Sequence, residues 1–210
     1  MQSRLTTSFA IMVQQPPCDR SRSLSAAQSL IARAKMGEAG AFEEILIRYQ
    51  RQVLGTAVRL LGNIDDASDA AQEVFLKLYK YLHKFDEEKE FLPWLYRMTV
   101  NVCHDISRKR GPIVSASLEQ EQESGALDNL ASRHNIESEI AVAQERSRLA
   151  EALATLSEKE RAAIVLRDIE GLETKEVARL LGTSQATVRS QISQARVKIK
   201  KYLDRALKRS

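Results

Sequence analysis

TKEVARLLGTSQATVRSQISQAR, Thr174 to Arg196, reads as two helices around a tight turn. Val177, Ala178 and Leu181 form an apolar stripe, Gly182 interrupts it, and Val188, Ile192 and Ala195 begin another. A short helix, a glycine turn and a second helix offering Ser, Gln, Thr and Arg is the pattern of a helix-turn-helix. The second helix of such a unit can enter a DNA major groove, where Gln and Arg pair with base edges and Ser or Thr reach phosphates. An ordinary helical hairpin has the same apolar spacing. The rest of the chain must decide between the two.

Composition narrows the choice. A chain of 210 residues suits one or two small domains. Aromatics make up only 5%, glycine and proline number 8 and 4, and charged residues reach 29%, a mix expected of a soluble, largely helical protein. The formal net charge of +4 is mild, so a nucleic-acid surface has to come from local clustering. Positive charge does cluster, in Arg108-Lys109-Arg110 and again from Arg196 to Arg209. Cys18 and Cys103 fit no metal or redox spacing, which suits a reducing cytoplasm. Cys103 and His104 are adjacent but lack a second ligand pair, and His83 and His134 stand apart, so no metal site is expected. No glycine-rich phosphate loop, serine elbow or catalytic pair is present, so neither an active site nor a cofactor is expected. No stretch approaches the roughly 18 apolar residues of a membrane span. Residues 1–24 read as a flexible extension, because their short apolar patch is interrupted by Gln14, Gln15 and two prolines.

Periodicity sorts the remainder into three zones. Residues 25–111 read as one four-helix domain. Leu30, Ile31 and Ala34 mark its first helix, and Phe42, Ile45, Leu46, Tyr49, Val53, Leu54, Val58 and Leu61 its second. The second helix stops at Gly62-Asn63, with Asn63 placed to cap the third, which carries Ala67, Ala70, Ala71, Val74, Phe75 and Leu78. A polar loop, Lys84 to Glu90, leads to a fourth helix through Trp94, Leu95, Met98, Val102 and Ile106. Residues 112–138 are an acidic linker too polar to bury a core. Residues 139–210 form a second helical domain. Ser157 and Glu160 make a capping box, Ile164, Val165 and Ile169 a buried stripe, and a long basic helix closes the chain. The fold class is therefore all-α, with two small domains and the helix-turn-helix in the second.

DDASDAAQEVF (Asp65 to Phe75) and FLPWLYRMTVNVCHDISRKR (Phe91 to Arg110), followed by the helix-turn-helix, resemble bacterial RNA polymerase sigma factors. The resemblance runs from Ser25 to Leu207 and is best with the compact extracytoplasmic-function (ECF) type. It implies a subunit that binds core RNA polymerase, recognises promoter DNA and starts strand separation. It also implies that the first domain grips polymerase and reads the −10 element, and that the second reads the −35 element. A stress-responsive role and an anti-sigma partner, closing both domains around itself, come with the resemblance as well.

The site residues follow. Asp66, Asp69 and Glu73 recur at three- and four-residue steps with Gln72 beside them, and no nearby lysine is read as offsetting them. That spacing gives a solvated acidic face or a docking surface. The resemblance assigns Asp69, Gln72 and Glu73 to the grip on polymerase, with Ser68 standing where the family usually has Glu. On the fourth helix, Trp94, Tyr96 and Arg97 fall within one turn, a setting in which aromatics stack unpaired bases. Trp94 is expected mainly in the core, Asn101 at a base, and Arg97, Arg108, Lys109 and Arg110 at phosphates. The loop from Lys84 to Glu90 corresponds to the family's pocket for a flipped base. In the second domain Ser184, Gln185, Thr187, Arg189 and Ser190 occupy the start of the recognition helix, with Arg196 further along and Arg167 at a family DNA position. Ala186 replaces a common glycine, and Gln191 and Gln194 replace common arginines, which lowers the expected DNA affinity.

Leu156 to Arg196 also looks like the output domain of response regulators, but the zone from Ser25 to Arg110 lacks the strands of a receiver domain. A helical adaptor without DNA function sits poorly with the clustered basic residues.

Overall fold

The computed structural model describes residues 20–110 and 147–208. The expected acidic linker at 112–138 and residues 1–19 lie outside them. Among the described residues every regular element is helical.

The first domain comprises α1 (Arg20–Lys35), α2 (Ala39–Leu61), α3 (Ile64–Tyr81), a 3₁₀ turn (Leu82–Lys84) and α4 (Phe91–Arg110). Helix α1 begins at Arg20, inside the stretch 1–24 expected to be an extension. A helix nucleated by the packed turn at Ala27, Leu30 and Ile31 extends upstream at little cost, even through residues with no apolar stripe. Helix α2 buries Ala41, Ile45, Tyr49, Val53, Ala57 and Leu60 along one face. It ends at Gly62, whose φ of 75° closes the last turn through its amide on Val58 O. Asn63 then caps α3, its side chain accepting from the amides of Asp65 (2.7 Å) and Asp66 (3.3 Å). The fully buried Ala67 and Ala70 let α3 approach α2 closely. The loop after the 3₁₀ turn is polar and exposed except at Phe85. Phe85 is buried and stacks with Trp94 (4.9 Å) and edge-on to Phe91 (5.5 Å), while Tyr49 closes on Phe91 from α2.

The second domain comprises helical residues 147–154 (α5), α6 (Glu158–Ile164), a π-helical turn (Val165–Ile169), α7 (Thr174–Leu180) and α8 (Gln185–Leu207). The capping box forms: the Ser157 amide donates to Glu160 Oε2 at 2.9 Å, and the Glu160 amide to Ser157 Oγ at 3.4 Å. Ile164, Val165 and Leu166 are buried through the π turn, while Ile169 is only partly covered. Helices α7 and α8 are the helix-turn-helix. Val177, Ala178, Val188, Ile192 and Ala195 face inward and Gly182 turns the chain at φ 62°. The recognition helix and the basic C-terminal helix are one continuous element of 23 residues, roughly 34 Å long.

The two domains are in contact. Their buried side chains form one cluster from Leu30 in α1 to Ile199 in α8. Arg161 in α6 donates to Leu60 O at the end of α2 (3.0 Å), and Glu170 after the π turn meets Thr56, Arg59 and Tyr96.

Candidate partner- and DNA-binding surfaces

Helix α3 packs through Ala67, Ala70, Val74 and Leu78, which turns Asp69 and Gln72 outward. Glu73 is also exposed but leans toward Lys77 four residues on, at 3.4 Å, so a lysine does offset this face. Asp66 does not belong to the exposed stripe. It is 8% exposed, in the first turn of α3, where a carboxylate interacts favourably with the helix N-terminus. The expected four-residue face is therefore Asp69, Gln72 and Glu73, with Asp66 turned inward. Sequence reasoning missed its continuation. Leu76 (59% exposed) and Tyr79 (73%) extend the Asp65, Asp69, Gln72 row at helical steps. Their position seven residues beyond Asp69 and Gln72 was the available signal. The surface thus combines carboxylates with an apolar end, suited to a basic, partly apolar partner.

On α4, Arg97, Asn101 and Arg108 are exposed along one side, with His104 between them, and Lys109 is exposed on another. The side chain of Arg110 lies outside the described atoms. Arg108 is tethered to Asp105 at 3.4 Å, a weak surface pair that leaves it able to turn to phosphate. His104, unassigned from sequence, lies 3.7 Å from Glu158 of the second domain. Trp94 belongs to the aromatic cluster, as expected. Tyr96 is buried as well, and cannot stack a base here: it is 2% exposed and its hydroxyl donates to Glu170 Oε2 at 2.6 Å. Burial, reinforced by the neighbouring carboxylate, pushes its ionisation far above that of an ordinary tyrosine, so it stays a neutral donor.

In the helix-turn-helix, Ser184, Gln185, Thr187, Arg189 and Ser190 are all exposed at the start of α8. The Ser184 hydroxyl is engaged as a cap, accepting from the Thr187 amide at 3.1 Å and lying 2.8 Å from the Thr187 hydroxyl. Gln185 steadies Arg189 through a long 3.4 Å contact. An open cleft of about 400 Å³ is lined by Arg167, Thr174, Arg189, Ser193 and Arg196, which gathers three of the expected DNA contacts in one place. Arg196 is not unpaired there. Its Nε and Nη2 each donate to Asp168 at 2.9 Å, and those hydrogen bonds hold its pKa above the ordinary arginine value. Glu160 plays a parallel part. Burial alone would raise its pKa, but hydrogen bonds from Lys198 (2.7 Å) and Ser157 outweigh that and hold it below the usual value.

Among the described residues no cluster of His, Cys, Asp and Glu is arranged to hold a metal, and no helix is long and apolar enough to cross a membrane.

Comparison with known proteins covers both domains. The Sigma-70 region 2 family model covers residues 45–112, which hold α3 and α4, and the Sigma-70, region 4 model covers residues 146–199, which hold the helix-turn-helix. The RNA polymerase sigma-H factor of Pseudomonas aeruginosa is 32% identical over 189 residues, spanning 86% of this chain and 95% of that protein. The ECF RNA polymerase sigma-E factor of Escherichia coli K12 is 30% identical over 175 residues, spanning 80% and 90%. Among solved structures, CnrH in complex with the cytosolic domain of CnrY aligns with a TM-score of 0.61 at 28% identity, covering 85% of this chain and 97% of that one. The sigma factor RpoE of Bartonella quintana, solved with the anti-sigma factor NepR, shares the fold with a TM-score of 0.59 at 24% identity.

Proposed function

The chain belongs to the extracytoplasmic-function sigma factors, and we infer from that membership that it binds core RNA polymerase, directs it to particular promoters and promotes strand opening there. The observation that carries the inference is the pairing, in one chain, of the exposed Asp69–Gln72–Glu73 face with a helix-turn-helix whose polar turns point outward. A conventional regulator needs only the second.

The division of labour follows from the chemistry of each surface. Asp69, Gln72 and Glu73, with Leu76 and Tyr79 beyond them, meet a basic and partly apolar element of polymerase. Asn101 reads a base of the −10 element, while Arg97, Arg108, Lys109 and Arg110 hold the backbone around it. Gln185, Thr187, Arg189 and Ser190 enter the −35 major groove, Arg167 flanks them at a phosphate, and Arg196 joins it only by giving up its bond to Asp168. Sigma factors are non-catalytic initiation factors, and bond formation stays with polymerase. The site of action is the cytoplasm, where polymerase and DNA reside. An anti-sigma protein is the expected regulator, as membership of the family implies; the sigma factor RpoE of Bartonella quintana, which shares the fold, was solved with the anti-sigma factor NepR.

Run-off transcription with core bacterial polymerase and a pool of upstream genomic fragments tests this. Transcripts requiring both components support it, and retention of fragments by the chain alone without transcripts would instead mark a conventional regulator. Asp69→Ala combined with Gln72→Ala should weaken polymerase binding, read by competition for core enzyme, while leaving −35 DNA binding unchanged.

A further inference from the structure

Glu170 is a carboxylate of the second domain bound almost entirely by the first. Its side chain is 7% exposed. Oε1 lies 2.7 Å from the Thr56 hydroxyl and accepts from Arg59 Nη1 at 3.2 Å, while Oε2 accepts from the Tyr96 hydroxyl at 2.6 Å. The Thr56 proton has a second acceptor in Gln52 O at 2.8 Å, but the ionised carboxylate makes the stronger bond. Thr56 and Tyr96 are themselves 0% and 2% exposed, so their hydroxyls have no access to bulk water while the domains touch. The backbone at Glu170 is set by the π turn, its amide donating to Val165 O at 2.9 Å, and Gly171 follows at φ 76°. Single π turns of this kind recur at functional sites, and the side chain that follows this one reaches across the domain boundary. Arg161 on Leu60 O and His104 beside Glu158 reinforce the same contact.

That contact conflicts with promoter reading. The −10 and −35 elements are separated by about 25 base pairs, roughly 85 Å along the duplex. A compact chain of this size is only on the order of 45 Å across. With Glu170 seated, Asn101 and Arg189 cannot reach both elements at once. The chain between residues 110 and 147 has an extended reach of roughly 120 Å, enough to let the domains part.

We propose that Glu170 is an interdomain clasp: seated among Thr56, Arg59 and Tyr96 it holds the free protein closed, and it leaves them when the chain joins polymerase. The clasp restrains the protein without any anti-sigma partner. It rests on the sigma-factor function for its consequence, but not for its existence.

Energy transfer between dyes on Met36→Cys and Lys175→Cys, in full-length protein carrying Cys18→Ser, reports the distance between domains. The parent protein should show high transfer that falls when core polymerase is added. Glu170→Gln removes the charge from one side of the contact, and Tyr96→Phe removes a donor from the other. Each should lower transfer in the free protein and tighten core binding by roughly tenfold, because apparent affinity scales with the competent fraction. Low transfer in the free parent, or unchanged transfer in both variants, overturns the clasp. Lower transfer without tighter core binding overturns its restraining role. The distance measurement needs no polymerase. A chain that failed in transcription would therefore sink the sigma-factor function while the dyes still decided whether the clasp exists.

Discussion

Replacing Asp168 with Asn tests how much of the positive charge on α8 reaches DNA. The Asp168 side chain is 9% exposed and takes both hydrogen bonds offered by Arg196, each 2.9 Å long. The guanidinium itself is 63% exposed beside Arg167 and Arg189 in the cleft proposed to face DNA. A cation already neutralised by a fixed carboxylate displaces no counterion when it meets a phosphate. Asp168→Asn keeps the shape and one acceptor but removes the competing charge. One additional phosphate contact steepens the slope of log K against log salt by about 0.9. Over a fourfold rise in salt, from about 50 to 200 mM, the variant should then lose roughly 3.5-fold more affinity than the parent, starting from tighter binding. Fluorescence anisotropy of the full chain on a labelled −35 duplex, over a salt series, reads both quantities. Arg196→Ala in the Asp168→Asn background should abolish the gain. An unchanged slope would refute the reasoning, because Arg196 would then lie off the DNA path. Weaker binding would refute it differently, by showing that Asp168 orients Arg196 rather than competing for it.

Three further outcomes are expected. Arg161 donates to three carbonyls, Leu153 O and Leu60 O at 3.0 Å and Leu156 O at 3.2 Å, so Arg161→Met should cost about 2–3 kcal/mol in urea unfolding. A loss below about 1 kcal/mol would mean that water replaces the guanidinium at those carbonyls. Asn101→Ala should slow promoter opening, followed by permanganate reactivity, and leave initial promoter binding intact; an unaltered opening rate removes Asn101 from the −10 surface. Burial pushes the Cys103 thiol up to about 12 from an ordinary 9.0. Its folded value is the higher one, so the stability it contributes is present below about 9 and is lost as pH rises toward 12. Iodoacetamide at pH 8 should leave it intact in the native protein and alkylate it in urea.

Features set by neighbours in sequence were legible before the fold was known. The stop at Gly62, the Asn63 cap, the Ser157–Glu160 capping box and the stripes of the helix-turn-helix all depend on residues within one or two turns. One local reading still failed: Asp66 shares spacing with Asp69 and Glu73, but its place in the first turn of α3 lets the core take it. The loop from Lys84 to Glu90 is the polar, exposed loop its composition predicts, with Phe85 alone turned into the aromatic cluster. What spacing could not show was pairing at long range. Tyr96 looked like a stacking aromatic because it stands beside Arg97, while the carboxylate that claims its hydroxyl lies 74 residues downstream.

The same long-range pairing changes how the charge of the second domain should be counted. Glu160, Asp168 and Glu170 lie within one short stretch and each takes a different cation. Glu160 takes Lys198 and pins the middle of α8 to the start of α6. Asp168 takes Arg196, two residues earlier on α8, and holds it at the edge of the cleft proposed to face DNA. Glu170 takes Arg59 and joins the second domain to the first. The basic run from Arg196 to Arg209 therefore divides by function. Its first members are fixed within the fold, whereas Lys200, Lys201 and Arg205 have no carboxylate partner among the described residues. Arg189 stands before that run, steadied by Gln185. Electrostatic attraction of DNA to the −35 surface should consequently follow Arg167 and Arg189 first. Arg196 joins them only at the expense of its bond to Asp168, so a sequence count of basic residues overstates the charge that DNA meets.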